Sequence, residues 1–268
     1  IRGIYGKDLD EAMAYKIGRA FVTFTGARKV VVARDIRPHS EPLFTELARG
    51  ITEQGADVID IGHGSTPMLY FANGTLDADA GVMITASHNP AEWNGFKLCR
   101  AKAEPISGAT GIVDIEQIVH SGKFATLPEK PGKVSAYDIA PEYAKHVASF
   151  AHLKRPVKVA IDFANGMGIW EAKALRGLIE WDGLFEEPDG RFPNHEANPL
   201  NHETLRDLQS KVREGNYDFG VAFDGDADRA GFVDERGEII PMDLVTALVA
   251  QDVLAARKGV VFYDLRSS

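Results

Sequence analysis

The alternation of short apolar runs with amphipathic stretches constrains this chain most. Lys29 to Ala33 (KVVVA) is a continuous apolar run that ends at Arg34-Asp35. Residues 40–54 place Leu43, Leu47, Gly50 and Ile51 on one face, with Ser40 as the expected N-cap and Pro42 in the first turn. Gly55 closes that helix, and Ala56 to Ile61 returns as a second strand. Strand, helix and strand at these lengths make a βαβ unit, which favours a parallel sheet.

The theme repeats along the chain. Residues 1–6 read as a compact arginine–glycine turn, and Leu9, Met13, Ile17, Ala20, Phe21 and Phe24 recur at helical spacing. Thr66 to Phe71 should open a helix, residues 81–84 a strand, Phe96 to Cys99 another strand, and residues 112–120 a modest helix. Residues 121–136 are polar, contain Pro128 and Pro131, and are expected to separate two domains. Beyond them the spacing predicts helices over 140–151, 169–180, 202–214 and 241–255, and strands at Val157 to Ile161 and Tyr217 to Phe223. Glu235-Arg236-Gly237 should turn a hairpin between Gly231–Val233 and Glu238–Ile240, and residues 186–201 should form a long loop. VVVARD (30–35), VKVAID (157–162) and VVFYDL (260–265) form a weak repeat of a strand before an aspartate. The third copy has no helix after it, so the chain is expected to be the front part of a longer protein.

Bulk properties exclude some functions. With 30 Lys plus Arg against 39 Asp plus Glu, the formal charge of -9 argues against a broad nucleic-acid or anionic-membrane surface. No apolar run reaches transmembrane length, and residues 1–20 mix Arg2, Lys7, Asp8, Asp10 and Glu11, unlike a signal peptide. The single Cys99 cannot form an intrachain disulfide, which fits a reducing compartment, and the expected location is cytoplasmic.

Chemistry concentrates in two loops. Val82-Met83-Ile84 breaks into Thr85-Ala86-Ser87-His88-Asn89-Pro90, a cluster of turn formers around a hydroxyl at the end of a strand. Read alone, this is an ordinary polar loop. Tyr217 to Phe223 runs into Asp224-Gly225-Asp226-Ala227-Asp228-Arg229. Three ionised carboxylates this close repel one another unless a cation compensates, and alternate carboxylates on a turn suit Mg²⁺ or Ca²⁺. Three readings compete for them. Glu235 falls where an EF-hand needs its last ligand, which would make Asp224 to Glu235 a Ca²⁺-binding module, although Arg229 replaces the required glycine. An aspartate-nucleophile phosphatase or mutase would use Asp224, although Asp228 stands where Thr or Val belongs. In the third, a metal held by the aspartates offsets the charge of a phosphorylated Ser87, with Arg229 nearby. His88 is the chain neighbour of Ser87, so a serine-hydrolase triad does not fit.

Thr85 to Pro90, Asn94-Gly95-Phe96-Lys97 and Asp224 to Arg229 together resemble the α-D-phosphohexomutase superfamily, in its phosphomannomutase/phosphoglucomutase branch. Ile1-Arg2-Gly3, Asp162 to Gly166 and Phe192 to His195 match in the same order. The resemblance implies an α/β fold of two similar three-layer βαβ-based domains with mixed, mostly parallel sheets, plus the first strand of a third. Residues 1–136 would carry the phosphoserine loop, 137–256 the metal loop, and 257–268 would open the third domain. It implies phosphoryl transfer between the 1 and 6 positions of a glucose or mannose phosphate, through a phosphoserine enzyme and a hexose 1,6-bisphosphate. Ser87 would carry the phosphate, and Asp224, Asp226 and Asp228 would bind Mg²⁺ together with an oxygen on Ser87. Arg2, Lys97 and Arg229 would stabilise the transferring charge, with His88 behind them. His195, Asn165 and Gly166 are expected to be structural, and Ala227 replaces the commoner glycine of the acidic loop. The family's sugar-recognition loop and final phosphate-gripping loop have no counterpart in these 268 residues, so the isolated chain should turn over poorly.

Overall fold

The computed structural model describes residues 1–262. Its elements are β1 (Arg2–Ile4), α1 (Glu11–Thr25), β2 (Lys29–Arg34), α2 (Ser40–Glu53), β3 (Asp57–His63), α3 (Thr66–Thr75), β4 (Ala80–Ile84), β5 (Trp93–Arg100), α4 (Ile112–Ser121), β6 (Val134–Ala136), α5 (Ala140–Ala148), β7 (Lys158–Asp162), α6 (Gly168–Ala174), β8 (Glu180–Leu184), α7 (Arg206–Glu214), β9 (Phe219–Phe223), β10 (Ala230–Val233), β11 (Ile239–Ile240) and α8 (Met242–Ala256).

Two mixed sheets result, one ordered β1-β5-β4-β2-β3-β6 and the other β11-β10-β9-β7-β8. In the first, β2 runs parallel to β3 and β4, β3 runs parallel to β6, and β5 is antiparallel to both β4 and β1. In the second, β7 runs parallel to β8 and β9, while β10 reverses against β9. Both sheets are covered on two faces, which is why their central strands are apolar throughout rather than alternating. Val30 and Val32 face α1, α2 and α4, whereas Val31 and Ala33 face α3 and α5. In the second sheet Val159 and Ile161 pack with Ile169 and Ala172 of α6, and Ala160 packs with Leu208 and Val212 of α7. The expected α/β class of two three-layer units is what forms.

Several local expectations change. Residues 2–4 are an edge strand rather than a turn, paired with β5. Val134–Ala136, at the end of the polar stretch, adds a parallel edge strand beside β3. The helix expected over 169–180 stops at Ala174, and Glu180–Leu184 is strand β8. Ser40 does not cap α2. The residue before the helix is His39, and the Ser40 hydroxyl donates to Asp35 at 2.6 Å instead. Helix α8 begins after Pro241 as expected, but none of its residues is buried, and Leu244 and Leu248 stand exposed. Of the third repeat, Gly259 to Phe262 carry no regular structure and Tyr263 to Ser268 lie outside the described residues. No described helix is long and apolar enough to cross a membrane.

Candidate active site

The serine loop leaves the carboxyl end of β4, the side of a parallel sheet where chains diverge and polar groups collect. Ser87 adopts a left-handed backbone (φ 56°), which a residue with a Cβ rarely takes. Its N–H donates to the Thr85 hydroxyl at 2.8 Å, so the threonine holds the turn locally. The Ser87 side chain is buried, and its hydroxyl donates to Asp224 Oδ2 at 2.9 Å across 137 residues of sequence.

The acidic loop bridges β9 and β10 and is closed on itself by three hydrogen bonds. Asp224 N–H donates to the Arg229 carbonyl (3.1 Å), Ala227 N–H to the Asp224 carbonyl (3.0 Å), and Arg229 N–H to Asp224 Oδ1 (3.0 Å). Ala227, which stands where the family resemblance implies a glycine, sits at φ 58°, a backbone that glycine adopts more readily. Three neighbours grip the loop from outside. Gly225 donates to the Ala197 carbonyl at 3.2 Å and accepts from Met167 N–H at 3.1 Å. At the N-terminus of α3, Thr66 N–H donates to the Asp226 carbonyl at 3.0 Å, and the Thr66 hydroxyl donates to Asp226 Oδ2. Thr66 therefore sets a helix N-terminus, with its partial positive charge, beside the Asp226 carboxylate. Gly225 is required by space: a Cβ there would lie 2.4 Å from the Ser87 carbonyl oxygen.

One oxygen from each of Asp224, Asp226 and Asp228 lies within 4.8 Å of the others. Burial, then the charges of Asp226 and Asp228, push the Asp224 carboxyl up to about 7. Burial also opposes ionisation of Asp226, but the adjacent Lys97 ammonium outweighs it and holds that carboxyl below the usual range. Lys97 donates to Asp226 and, at 2.6 Å, to Asp228. Burial draws the lysine down while these carboxylates push it further up, and the net shift is upward. Asp226 Oδ1 is buried with no hydrogen-bond partner. An all-oxygen cluster with an orphaned acceptor and more negative than positive charge can hold a metal ion, and its donors are those a hard divalent cation takes.

The sequence-derived residues converge here. Arg229 Nη2 reaches His88 Nδ1 at 2.8 Å and Ser87 Oγ at 3.5 Å, and its Nε is 3.7 Å from Asp224 and from Asp228. The guanidinium can only donate, so His88 Nδ1 accepts; burial and then Arg229 lower the histidine and keep it neutral. Arg2 lies further out, exposed, donating to Asn89 Oδ1 at 2.9 Å. Asp224 has both oxygens engaged, one by Ser87 and one by the Arg229 amide. The EF-hand expectation fails on its surroundings. Strands, not helices, flank the aspartates, and Glu235 lies in the β10–β11 turn, outside the carboxylate cluster.

Two residues that the sequence did not single out matter. Thr66 marked only a helix start in the linear pattern, because its partner is 160 residues away. Arg37 was legible in principle, since Asp35-Ile36-Arg37 turns polar at the carboxyl end of a parallel strand, where sites gather.

Residues 1–126 match the family model for phosphoglucomutase/phosphomannomutase, alpha/beta/alpha domain I, and residues 141–237 match that for domain II. The chain is 37% identical over 278 residues to a phosphomannomutase of Escherichia coli, covering 99% of this chain and 61% of the relative. It is 40% identical over 274 residues to a phosphoglucomutase of Neisseria gonorrhoeae, covering 100% of this chain and 59% of the relative. It thus spans about three-fifths of the length of these curated relatives. A crystal structure of a phosphoglucomutase/phosphomannomutase family protein from Burkholderia thailandensis superposes with a TM-score of 0.89 at 35% identity, over 96% of this chain and 58% of that one. With both domain models matched in order and the serine and acidic loops meeting where those domains join, this chain belongs to the phosphoglucomutase/phosphomannomutase family of the α-D-phosphohexomutase superfamily.

Proposed function

We propose that this chain supplies the phosphoryl-transfer half of a phosphohexomutase, moving phosphate between the 1 and 6 positions of glucose or mannose phosphate. The Ser87–Asp224 contact of 2.9 Å carries the reading, because it sets the Ser87 hydroxyl against a cluster of three carboxylates, two of them buried, whose charge a cation would offset. Asp224, Asp226 and Asp228 would hold Mg²⁺, with an oxygen on Ser87 completing the set. When bound, the metal supplies positive charge against the oxygens of the phosphoryl group. The chain's own side chains do the rest. Asp224 Oδ2 accepts the hydrogen bond of the Ser87 hydroxyl and so turns Oγ toward the carboxylate cluster. Arg229 stands 3.5 Å from Oγ and balances the charge that gathers there. Lys97 holds Asp226 and Asp228 apart from mutual repulsion, and Arg2 borders the loop at Asn89. Phosphoserine passes its group to one sugar hydroxyl, giving a hexose 1,6-bisphosphate, and recovers phosphate from the other position after the sugar turns over.

Incubation with glucose 1,6-bisphosphate and Mg²⁺, followed by mapping of the phosphate by mass spectrometry, tests the reading. Acid-stable phosphate on Ser87 is expected. Acid-labile phosphate on Asp224 would instead support an aspartate nucleophile, and no phosphate on either residue would overturn the phosphoenzyme reading.

A further inference from the structure

Arg37 is buried, with no solvent exposure of its side chain, yet it touches none of the reacting groups named above. A guanidinium has five N–H donors in a fixed plane. Here all five are used. Nε donates to Asp35 Oδ2 at 3.1 Å. Nη1 donates to the carbonyls of Pro90 (2.6 Å) and Trp93 (3.0 Å), and Nη2 to those of Ser87 (2.9 Å) and Asn89 (2.7 Å). Four of the five bonds therefore end on the backbone of one loop, and one of them on Ser87 itself.

The support beneath this fork is also buried. Asp35 Oδ1 accepts from the Arg37 N–H at 3.1 Å and from the Ser40 hydroxyl at 2.6 Å, and Asn94 donates to that same hydroxyl at 3.1 Å. Above the guanidinium lies Phe192, whose ring centre is 4.9 Å from Arg37 Cζ. The same ring comes within 3.5 Å of where a Cβ on Gly225 would be. Gly190, in the same segment, approaches so closely that a Cβ there would sit 2.4 Å from Arg37 Cα. One side chain thus meets the serine loop on one side and the 190–192 segment, which borders the acidic loop, on the other.

We infer that Arg37 is a positioning residue: its saturated guanidinium templates the Ser87–Trp93 loop and, through Phe192, ties that template to the acidic loop. The left-handed backbone at Ser87 is one that a residue with a Cβ rarely takes; the Thr85 hydroxyl supports it from within the loop through one bond, and Arg37 adds a support from outside. Among the described residues, Arg37 is the side chain that bonds to four of the loop's carbonyls. A lysine keeps the charge and the partner Asp35 but has three donors and no planar fork, so at least two of these bonds go.

The inference rests on the phosphoserine reading for its kinetic arm and on geometry alone for its structural arm. In Arg37→Lys, amide hydrogen exchange should accelerate over residues 85–93 and not across the β4 strand. The initial rate of phosphate uptake on Ser87 from glucose 1,6-bisphosphate should fall about 10- to 100-fold, the effect of displacing a reacting group by an ångström or less. Mg²⁺ affinity by calorimetry should fall far less than phosphate uptake does, because the three aspartates keep their bonds and only the share of the Ser87 oxygen is disturbed. Phe192→Leu, which removes the ring and no hydrogen bond, should show the same exchange pattern more weakly. It also keeps the test open if the lysine variant does not fold. Unchanged exchange over 85–93 in whichever variant folds overturns the inference, as does a loss of Mg²⁺ affinity in proportion to uptake, which would signal a general structural role. Failure of the unaltered chain to take up phosphate would remove the function proposed above while leaving the exchange result to decide the role of Arg37.

Discussion

At the scale of single residues, the site depends on how closely backbone can approach backbone. Gly225 has an ordinary φ, so alanine there meets no conformational penalty; what it meets is the Ser87 carbonyl oxygen at 2.4 Å. Gly225→Ala should therefore cost about 1–3 kcal/mol in a urea midpoint and lower phosphate uptake by Ser87 more than tenfold. A variant as stable and as readily phosphorylated as the parent would show that the two loops do not need this contact. Side chains around the contact were largely legible in the sequence. Asp224, Asp226 and Asp228 stood out by their spacing, Ser87 and Arg229 once paired with them, and Lys97 through the family resemblance alone. Arg37 and Thr66 did not, because their partners are carbonyls and carboxylates far along the chain, and a one-dimensional pattern records neither.

Among the elements, the loop over residues 186–201 does more than connect. His195 Nδ1 faces the Glu196 carbonyl at 2.8 Å and Nε2 faces Asp162 Oδ2 at 3.0 Å. Both partners are acceptors, so the ring satisfies them only as an imidazolium. Burial alone would lower this histidine, but the Asp162 carboxylate at the end of β7 outweighs it and raises it above 6.5. A group raised in the folded state contributes stability that is fully present below its unfolded value and fades as pH climbs through the folded one. The stability gap between the parent and His195→Gln should accordingly be larger at pH 5.5 than at pH 9, as read from urea titrations. An equal gap at both would mean the ion pair contributes nothing. The histidine, expected to be structural, is a bracket for the acidic loop, since Ala197 two residues on accepts from Gly225. The central strands could be read directly because both their faces are buried and the apolar run is unbroken. The edges could not. β1 and β6 have three residues each, and β8 (Glu180–Leu184) mixes Glu180, Asp182 and Gly183 into its five residues, so no apolar run marks it and its first residue fell within the expected helix.

For the molecule as a whole, the first sheet brings Ser87 and Lys97 while the second brings the carboxylates, so a cation held by those carboxylates would act on the seam between them. A ligand that binds only the folded chain stabilises it by mass action, about 2.7 kcal/mol at a hundredfold excess over Kd. Thermal melting with rising Mg²⁺ should shift upward, and a chelator should reverse it. Asp228→Asn should abolish the shift with little effect on the metal-free melting point, because Asp228 is the most exposed of the three carboxylates. A melting point indifferent to Mg²⁺ would argue against a metal at this seam. Part of that seam is drawn in main-chain atoms: the Ser87 carbonyl lies against Gly225, and the Thr66 N–H donates to the Asp226 carbonyl. Every amino acid except proline carries the same N–H and C=O. Side chains around these contacts can therefore change while the approach of the Ser87 loop to the acidic loop is kept, provided that residue 225 stays glycine.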